Sequence, residues 1–237
     1  VANQKGGVGK TTTAVNLSAG LSLKGIKVLL VDFDPQGNAT SSFGISKRDS
    51  GPTVFELIGG AADPKSGIRN TKYGDIIPSS IDLVGSEIAL VNTKNREYCL
   101  KNVLEPLRPD YDAIIIDCAP GLGLLMINAL CAADGVLIPL QCEYLALEGL
   151  SMMINTIRTL KKNLNPTLEL EGLIFTMYDG RTKLSAQVVR EVKKYFSDKI
   201  YKTVIPRNVR LSEAPSHGKP IQYYDKYSQG AKSYSEL

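Results

Sequence analysis

One histidine, His217, is all the sequence offers, and a lone histidine makes neither a metal cluster nor a catalytic triad. Cysteine is also sparse. Cys99, Cys118, Cys131 and Cys142 stand 19, 13 and 11 positions apart with no CxxC pair, which argues against a zinc site or a disulfide framework and for reduced structural thiols in a cytosolic protein. No apolar run reaches the roughly 18 residues needed to span a bilayer; the longest, at 26–31 and 135–140, have the length of buried strands. Internal repeats and low-complexity linkers are missing too. The remainder is ordinary: 237 residues, 43% hydrophobic and 22% charged, a composition that argues against disorder and allows a sizeable core. An α/β chain of this length is expected to form one domain over 1–237. The first strand reads as cut to its last residues and the last residues as part of a helix, so both ends are expected to be truncated.

The net charge of +4 is unevenly spread. Residues 178–237 hold 12 Lys and Arg against 6 Asp and Glu, whereas residues 1–177 hold 16 against 18. A basic last quarter on a nearly neutral body points to a polyanion partner or to a solvated face.

Apolar runs at 27–31, 113–117, 136–140, 172–177 and 202–205 read as strands, and the periodic segments 12–24, 123–132, 148–163 and 185–196 read as helices. Continuously apolar strands alternating with helices predict an α/β fold with a mostly parallel, twisted sheet covered on both faces. In such sheets ligands gather beyond the carboxyl ends of the strands. The loops after 31, 116, 177 and 205, with the opening loop, are therefore where function is expected.

The opening loop, KGGVGKTT at residues 5–12, follows a strand stub and precedes a helical pattern. Gly6, Gly7 and Gly9 around Val8 let backbone N–H groups approach phosphate oxygens at a helix N-terminus. Lys10 supplies an ammonium to the β- and γ-phosphates, the Thr11 hydroxyl can ligate a bridging Mg²⁺, and Thr12 completes the nucleotide-binding run. Two carboxylates, Asp32 and Asp34 in VDFDPQGNAT, alternate along a strand end and so point to opposite sides if the strand persists. Asp117 closes the apolar run IIIDCAP, the position of a Walker B carboxylate.

The loop departs from GxxxxGK[ST]: Gln4 stands at the first glycine, and a second lysine, Lys5, follows it. This deviant Walker A form resembles the ParA/MinD group of P-loop ATPases. The segments QCEYLALEGL, TMYDGRTKL, VIPRNVRLSEAPSHGKPI and DPQGNATS extend the resemblance to the chromosomal ParA/Soj branch over nearly the whole chain. The resemblance implies a P-loop NTPase that binds ATP and Mg²⁺, and a homodimer formed on ATP in which Lys5 reaches the partner's nucleotide. It implies that Asp34 positions the attacking water and that Asp32 and Asp117 meet the metal through water. It also implies that Pro206 and Asn208 contact the adenine, and that Arg181 and Arg210 contact phosphates of non-specific double-stranded DNA. Partition of a chromosome or plasmid, slow hydrolysis without a ParB-like stimulating protein, a cytoplasmic and nucleoid-associated location, and no membrane follow from the same source.

On the helix at 185–196, Arg190 and Lys194 lie one turn apart, while Leu184, Val188 and Val192 share another face, giving one side for burial and one for a polyanion. One departure stands out: the branch usually shows Pro-Pro-Ser after the Walker B aspartate, and this chain has Ala119, Pro120 and Gly121. Competing readings are a MinD-like membrane-associated division ATPase, and a P-loop tyrosine kinase, given Tyr223, Tyr224, Tyr227 and Tyr234. An iron–sulfur reductase, whose cluster cysteines have no match here, and a non-catalytic DNA-binding module complete them.

Overall fold

A computed structural model describes residues 1–237 apart from residues 47, 48 and 145 and the side chain of Glu87; Leu145, within the QCEYLALEGL segment, thus lies outside the described residues. In chain order the elements are α1 (Lys10–Leu23), β1 (Val28–Phe33), α2 (Asn38–Ser42), α3 (Val54–Ile58), β2 (Arg69–Thr71), β3 (Gly74–Ile77), α4 (Ser86–Ala89), α5 (Cys99–Leu104), β4 (Ala113–Cys118) and α6 (Leu124–Ala132). Then follow β5 (Gly135–Gln141), α7 (Ala146–Asn163), β6 (Glu169–Thr176), α8 (Lys183–Phe196), α9 (Val209–Glu213), α10 (Ile221–Tyr224) and α11 (Gln229–Glu236).

The strands form a four-stranded piece in the order β2-β3-β1-β4 and a two-stranded piece, β5-β6. All pairings are parallel except β2 with β3. The opening residues join the pieces. The Val1 amine donates to Ile116 O at 2.7 Å, Cys118 N donates to Val1 O at 3.3 Å, and Ala2 N donates to Leu137 O at 3.0 Å, so the stub runs between β4 and β5 as the opening loop requires.

The strand expected at 202–205 is replaced by an extended, irregular segment. Tyr201 N and Ile205 N donate to Leu173 O and Phe175 O of β6 at 3.0 and 2.8 Å, but the flanking bridges, Leu173 to Ile200 and Tyr178 to Pro206, span one residue more on this side than on the β6 side. The extra residue breaks the ladder in the manner of a bulge.

Every residue of β1 is buried, because the sheet is covered on both faces. Leu29, Val31 and Phe33 point to one face with Leu57 of α3, Leu100 of α5, Leu130 of α6, Ile157 of α7 and Val192 of α8. Leu30 points to the other, with Ala14 and Val15 of α1 and Phe43. Alternation along the strand thus feeds two cores from one apolar run. On α8, Val188 and Val192 are buried as expected, but Leu184 is 42% exposed; in the helix's first turn its place toward the core is taken by Ser185, which packs under the N-cap Thr182. Among the described residues no helix is long and apolar enough to cross a membrane.

Candidate nucleotide site

The loop at 5–12 leaves the sheet between β4 and β5 and enters α1 at Lys10. Gly7 and Gly9 have φ of +74° and +86°, a left-handed backbone that side chains with a Cβ avoid, and this turns the loop into a cradle. Two remote residues hold it. Thr176 Oγ1, at the end of β6, donates to Val8 O at 2.8 Å. Asn3 Oδ1 accepts the Lys5 N–H at 3.0 Å while Asn3 Nδ2 donates to Pro139 O of β5 at 2.8 Å.

The two lysines have different surroundings. Lys10 is buried, and its ammonium donates to Lys5 O at 2.9 Å; burial lowers its pKa while Asp117, Cys118 and Asp34 oppose that. The Lys5 side chain is 39% exposed and pairs with the carboxylate of Glu143, in the loop after β5. One ammonium faces into the loop and the other is presented at the surface.

Asp32 and Asp117 are register partners on adjacent strands, and both are fully buried. Their oxygens are used differently. Asp32 Oδ2 accepts from Thr40 N at 2.7 Å and Thr40 Oγ1 at 2.6 Å, and its Oδ1 accepts from Asp34 N at 3.3 Å. Asp117 has no hydrogen-bond partner on either oxygen among the described residues. Burial, then repulsion from Asp32, pushes its pKa up, with the nearby Thr11 hydroxyl countering; burial likewise raises Asp32, against its bonds from Thr40. A bare buried carboxylate beside Thr11 and Lys10 is costly unless a cation or its water shell completes it, so the residues present fit a bound Mg²⁺. Asp34 lies just past the end of β1, where the strand has stopped, so the strict alternation of the two carboxylates does not extend to it; it is 7% exposed and accepts the Gln36 N–H at 2.9 Å.

The segment after 205 borders the same end of the sheet. Pro206 bridges Tyr178, and Asn208 Oδ1 is buried without a partner among the described residues, an acceptor open to a ligand donor. A cleft of about 400 Å³ opens beside Thr11 and Thr12, walled by Asn16, Ser41, Leu211 and Lys219. The switch-like loop after β4 is tied in as well. Gly121 has φ +100° and donates its N–H to Gln4 O at 3.0 Å, a conformation that a serine there would adopt only under strain.

The two arginines assigned to DNA, Arg181 in the loop after β6 and Arg210 in α9, are paired internally. Arg181 makes a two-pronged contact with Asp179 at 2.9 and 2.8 Å, and Arg210 pairs with Glu213 at 2.8 Å and Asp225 at 3.5 Å. By contrast Lys183, Arg190, Lys193, Lys202 and Arg207 carry no ion pair among the described residues. The four cysteines are buried and free, and burial holds the thiols of Cys118, Cys131 and Cys142 up at about 11, as inert structural thiols require. Glu143, Thr176 and Thr40 are not marked as site residues by any pattern of their own; they lie within QCEYLALEGL, TMYDGRTKL and DPQGNATS, Glu143 just after β5, Thr176 at the end of β6 and Thr40 in α2.

The chain is similar to known proteins in sequence and in fold. An AAA-domain family model matches residues 1–170. The chain is 59% identical over 239 residues to the sporulation initiation inhibitor protein Soj of Bacillus subtilis (strain 168), covering 100% of this chain and 94% of that one. It is 52% identical over 237 residues to the chromosome-partitioning ATPase Soj of Treponema pallidum (strain Nichols), covering 99% and 92%. Among solved structures, cobyrinic acid a,c-diamide synthase from Mycobacterium smegmatis with bound ADP and magnesium superposes with a TM-score of 0.86 at 39% identity, covering 99% of this chain and 89% of that one.

Proposed function

The chain belongs to the ParA/Soj family of chromosome-partitioning ATPases, and from that premise we propose that it is a single-domain switch that dimerises on ATP, binds DNA without sequence preference and hydrolyses ATP slowly. ATP and Mg²⁺ are its cofactors. When bound, the magnesium neutralises charge on the β- and γ-phosphate oxygens.

The observation that carries the reading is the division of labour between the two lysines. Lys10, buried at the start of α1, is placed for the phosphates of its own subunit once it leaves Lys5 O. The Lys5 side chain is partly exposed and held only by an ion pair between partly solvated groups, a contact worth about 0–1 kcal/mol, so it is released at little cost to reach a nucleotide on a second copy. Around them Thr11 and Asp117 serve the metal, with Asp32 one step back behind Thr40. Asp34 orients the attacking water, and with no arginine assigned to the phosphates the reaction depends on a stimulating partner, which we take to be ParB-like. Pro206 and Asn208 border the base. Three of the tyrosines serve packing: Tyr234 is buried and its hydroxyl shares a 3.1 Å hydrogen bond with Thr13 of α1, and the hydroxyls of the half-buried Tyr223 and Tyr224 bond Lys72 O and Glu213, while Tyr227 alone of the four is 75% exposed.

The test contrasts the lysines. Lys10→Ala should lose nucleotide affinity at least tenfold, whereas Lys5→Ala should bind a fluorescent ATP analogue normally yet stay monomeric in size-exclusion chromatography with ATP. An unaltered ATP-dependent dimer of Lys5→Ala would show that Lys5 does not act across subunits. On the same reading the protein works in the cytoplasm on nucleoid DNA, moving a chromosome or plasmid.

A further inference from the structure

Ile81, Val84, Ile88 and Val91 are 65%, 61%, 81% and 55% exposed. Their spacing of three, four and three places them on one stripe of the helical run formed by the 3-10 turn Ile81–Gly85, α4 and the turn that follows. The opposite side of that run is anchored, with Leu83, Ser86 and Leu90 buried. The stripe is therefore a held surface. Four such residues present on the order of 500 Å² of apolar side chain, in the upper part of the range for the largest patch on a monomer.

The stripe is joined to the nucleotide site. Ile77 ends β3 in register with Val31, and Val31 with Ile116, so the chain leaves β3 at the level of Asp32 and Asp117. Ser79 N then donates to Thr40 Oγ1 at 3.0 Å, the hydroxyl that itself donates to Asp32. Ile81 begins two residues later. Leu122, Tyr144 and Met152, also exposed, follow β4 and β5 at this same end of the sheet, around Lys5.

We propose that the stripe is a contact between two copies of this chain, continuous with the face through which Lys5 reaches its partner. The inference rests on the ATP-dependent dimer proposed above and deepens it. Area favours a second copy as the occupant. A standard interface buries about 800 Å² per partner; the stripe supplies more than half of this, the exposed Leu122, Tyr144 and Met152 on the Lys5 face add to it, and a two-fold contact uses the same patch on both subunits. Through Thr40 and Ser79, a change at Asp32 on nucleotide binding is passed to the backbone that aims the stripe.

The test is the double variant Val84→Asp with Ile88→Asp, in sedimentation velocity with a non-hydrolysable ATP analogue and Mg²⁺. The expected result is a dimer dissociation constant raised at least tenfold, with fluorescent-nucleotide affinity of the monomer within twofold of wild type. An unchanged dimer constant overturns the inference and leaves the dimer reading intact; a wild-type chain that stays monomeric with the analogue overturns both. Ile88→Cys gives an independent measure, because the native cysteines are buried. Its reaction with a maleimide should slow at least fivefold when the analogue replaces ADP, and equal rates in the two nucleotides overturn the assignment even if the double variant is unstable. A double variant that dimerises normally but no longer responds to a stimulating protein would move the stripe to a partner site and likewise overturn it.

Discussion

Asp117 shows how a single residue can hold the fold at a cost that the ligand removes. Its two oxygens are buried and unbonded, and its register partner Asp32 repels it. Both carboxyls are therefore raised above the ordinary value, first by burial. A raised carboxyl binds its proton more tightly in the folded chain than in the unfolded one. The contribution of this pair to the stability of the nucleotide-free protein is then full below about pH 4, where unfolded carboxyls titrate, and is lost as pH rises from there through neutrality. Asp117→Asn keeps the shape and removes the charge. It should stabilise the nucleotide-free protein at pH 7 by about 1–3 kcal/mol and flatten the pH dependence, as thermal unfolding between pH 5 and 8 in a chelator would show. The same variant should lose most of the rise in melting temperature that ATP and Mg²⁺ give the wild type. A variant that melts below wild type at pH 7 without ligand would mean that Asp117 has a partner the fold depends on.

At the scale of elements, the site is an opening loop strapped down by neighbouring strand ends. Thr176, 2% exposed at the end of β6, is one strap, bonded to Val8 O across 168 residues. Thr176→Val keeps the volume but leaves a buried carbonyl unpaired, which costs about 1–3 kcal/mol. Urea unfolding should show that loss, and nucleotide titration should show affinity falling several-fold because the cradle is less ordered; stability and affinity both at wild-type level would remove Thr176 from this role. Such straps explain what was and was not legible in the sequence. The loop KGGVGKTT carries its chemistry in adjacent letters, and β1, β4, β5 and the second half of β6 are apolar runs, so the loop, these strands and the carboxylates at strand ends were all readable. β2 and β3, RNT and GDII, are short and half polar, and take their strand form from pairing, β3 with β1 and β2 with β3. Thr176 and Glu143 touch the site through contacts across 168 and 138 residues that no local pattern announces, and Thr40 reaches Asp32 from α2, eight residues on. The segment 202–205 misled because an apolar run does not reveal an added residue in the facing ladder.

For the whole molecule, the question is where the basic last quarter meets DNA. Arg181 and Arg210 are each neutralised by their own acids, whereas Arg190 and Lys193 on α8, with Lys183, Lys202 and Arg207, stand exposed and unpaired among the described residues. If phosphate contact is electrostatic, the unpaired charges contribute first, and the paired ones must surrender an ion pair to join. Arg190→Glu and Arg207→Glu should therefore weaken DNA binding more than Arg181→Ala does. Each phosphate that the protein neutralises releases condensed counterions, so the slope of log affinity against log salt should shrink by about 0.9 for every phosphate a variant no longer reaches. A monomer that reaches only a few phosphates binds weakly at physiological salt, and dimerisation doubles that number on one duplex, so ATP raises occupancy through avidity without adding a residue to the surface. Filter binding of random-sequence duplexes across a salt series, with ATP and ADP compared, measures all of this. The expected pattern is steep salt dependence, little sequence preference and at least tenfold tighter binding with ATP. Equal binding in the two nucleotides would detach DNA from the switch, and a larger effect from Arg181→Ala than from Arg190→Glu would mean that DNA opens the Asp179 pair and uses the arginine it holds.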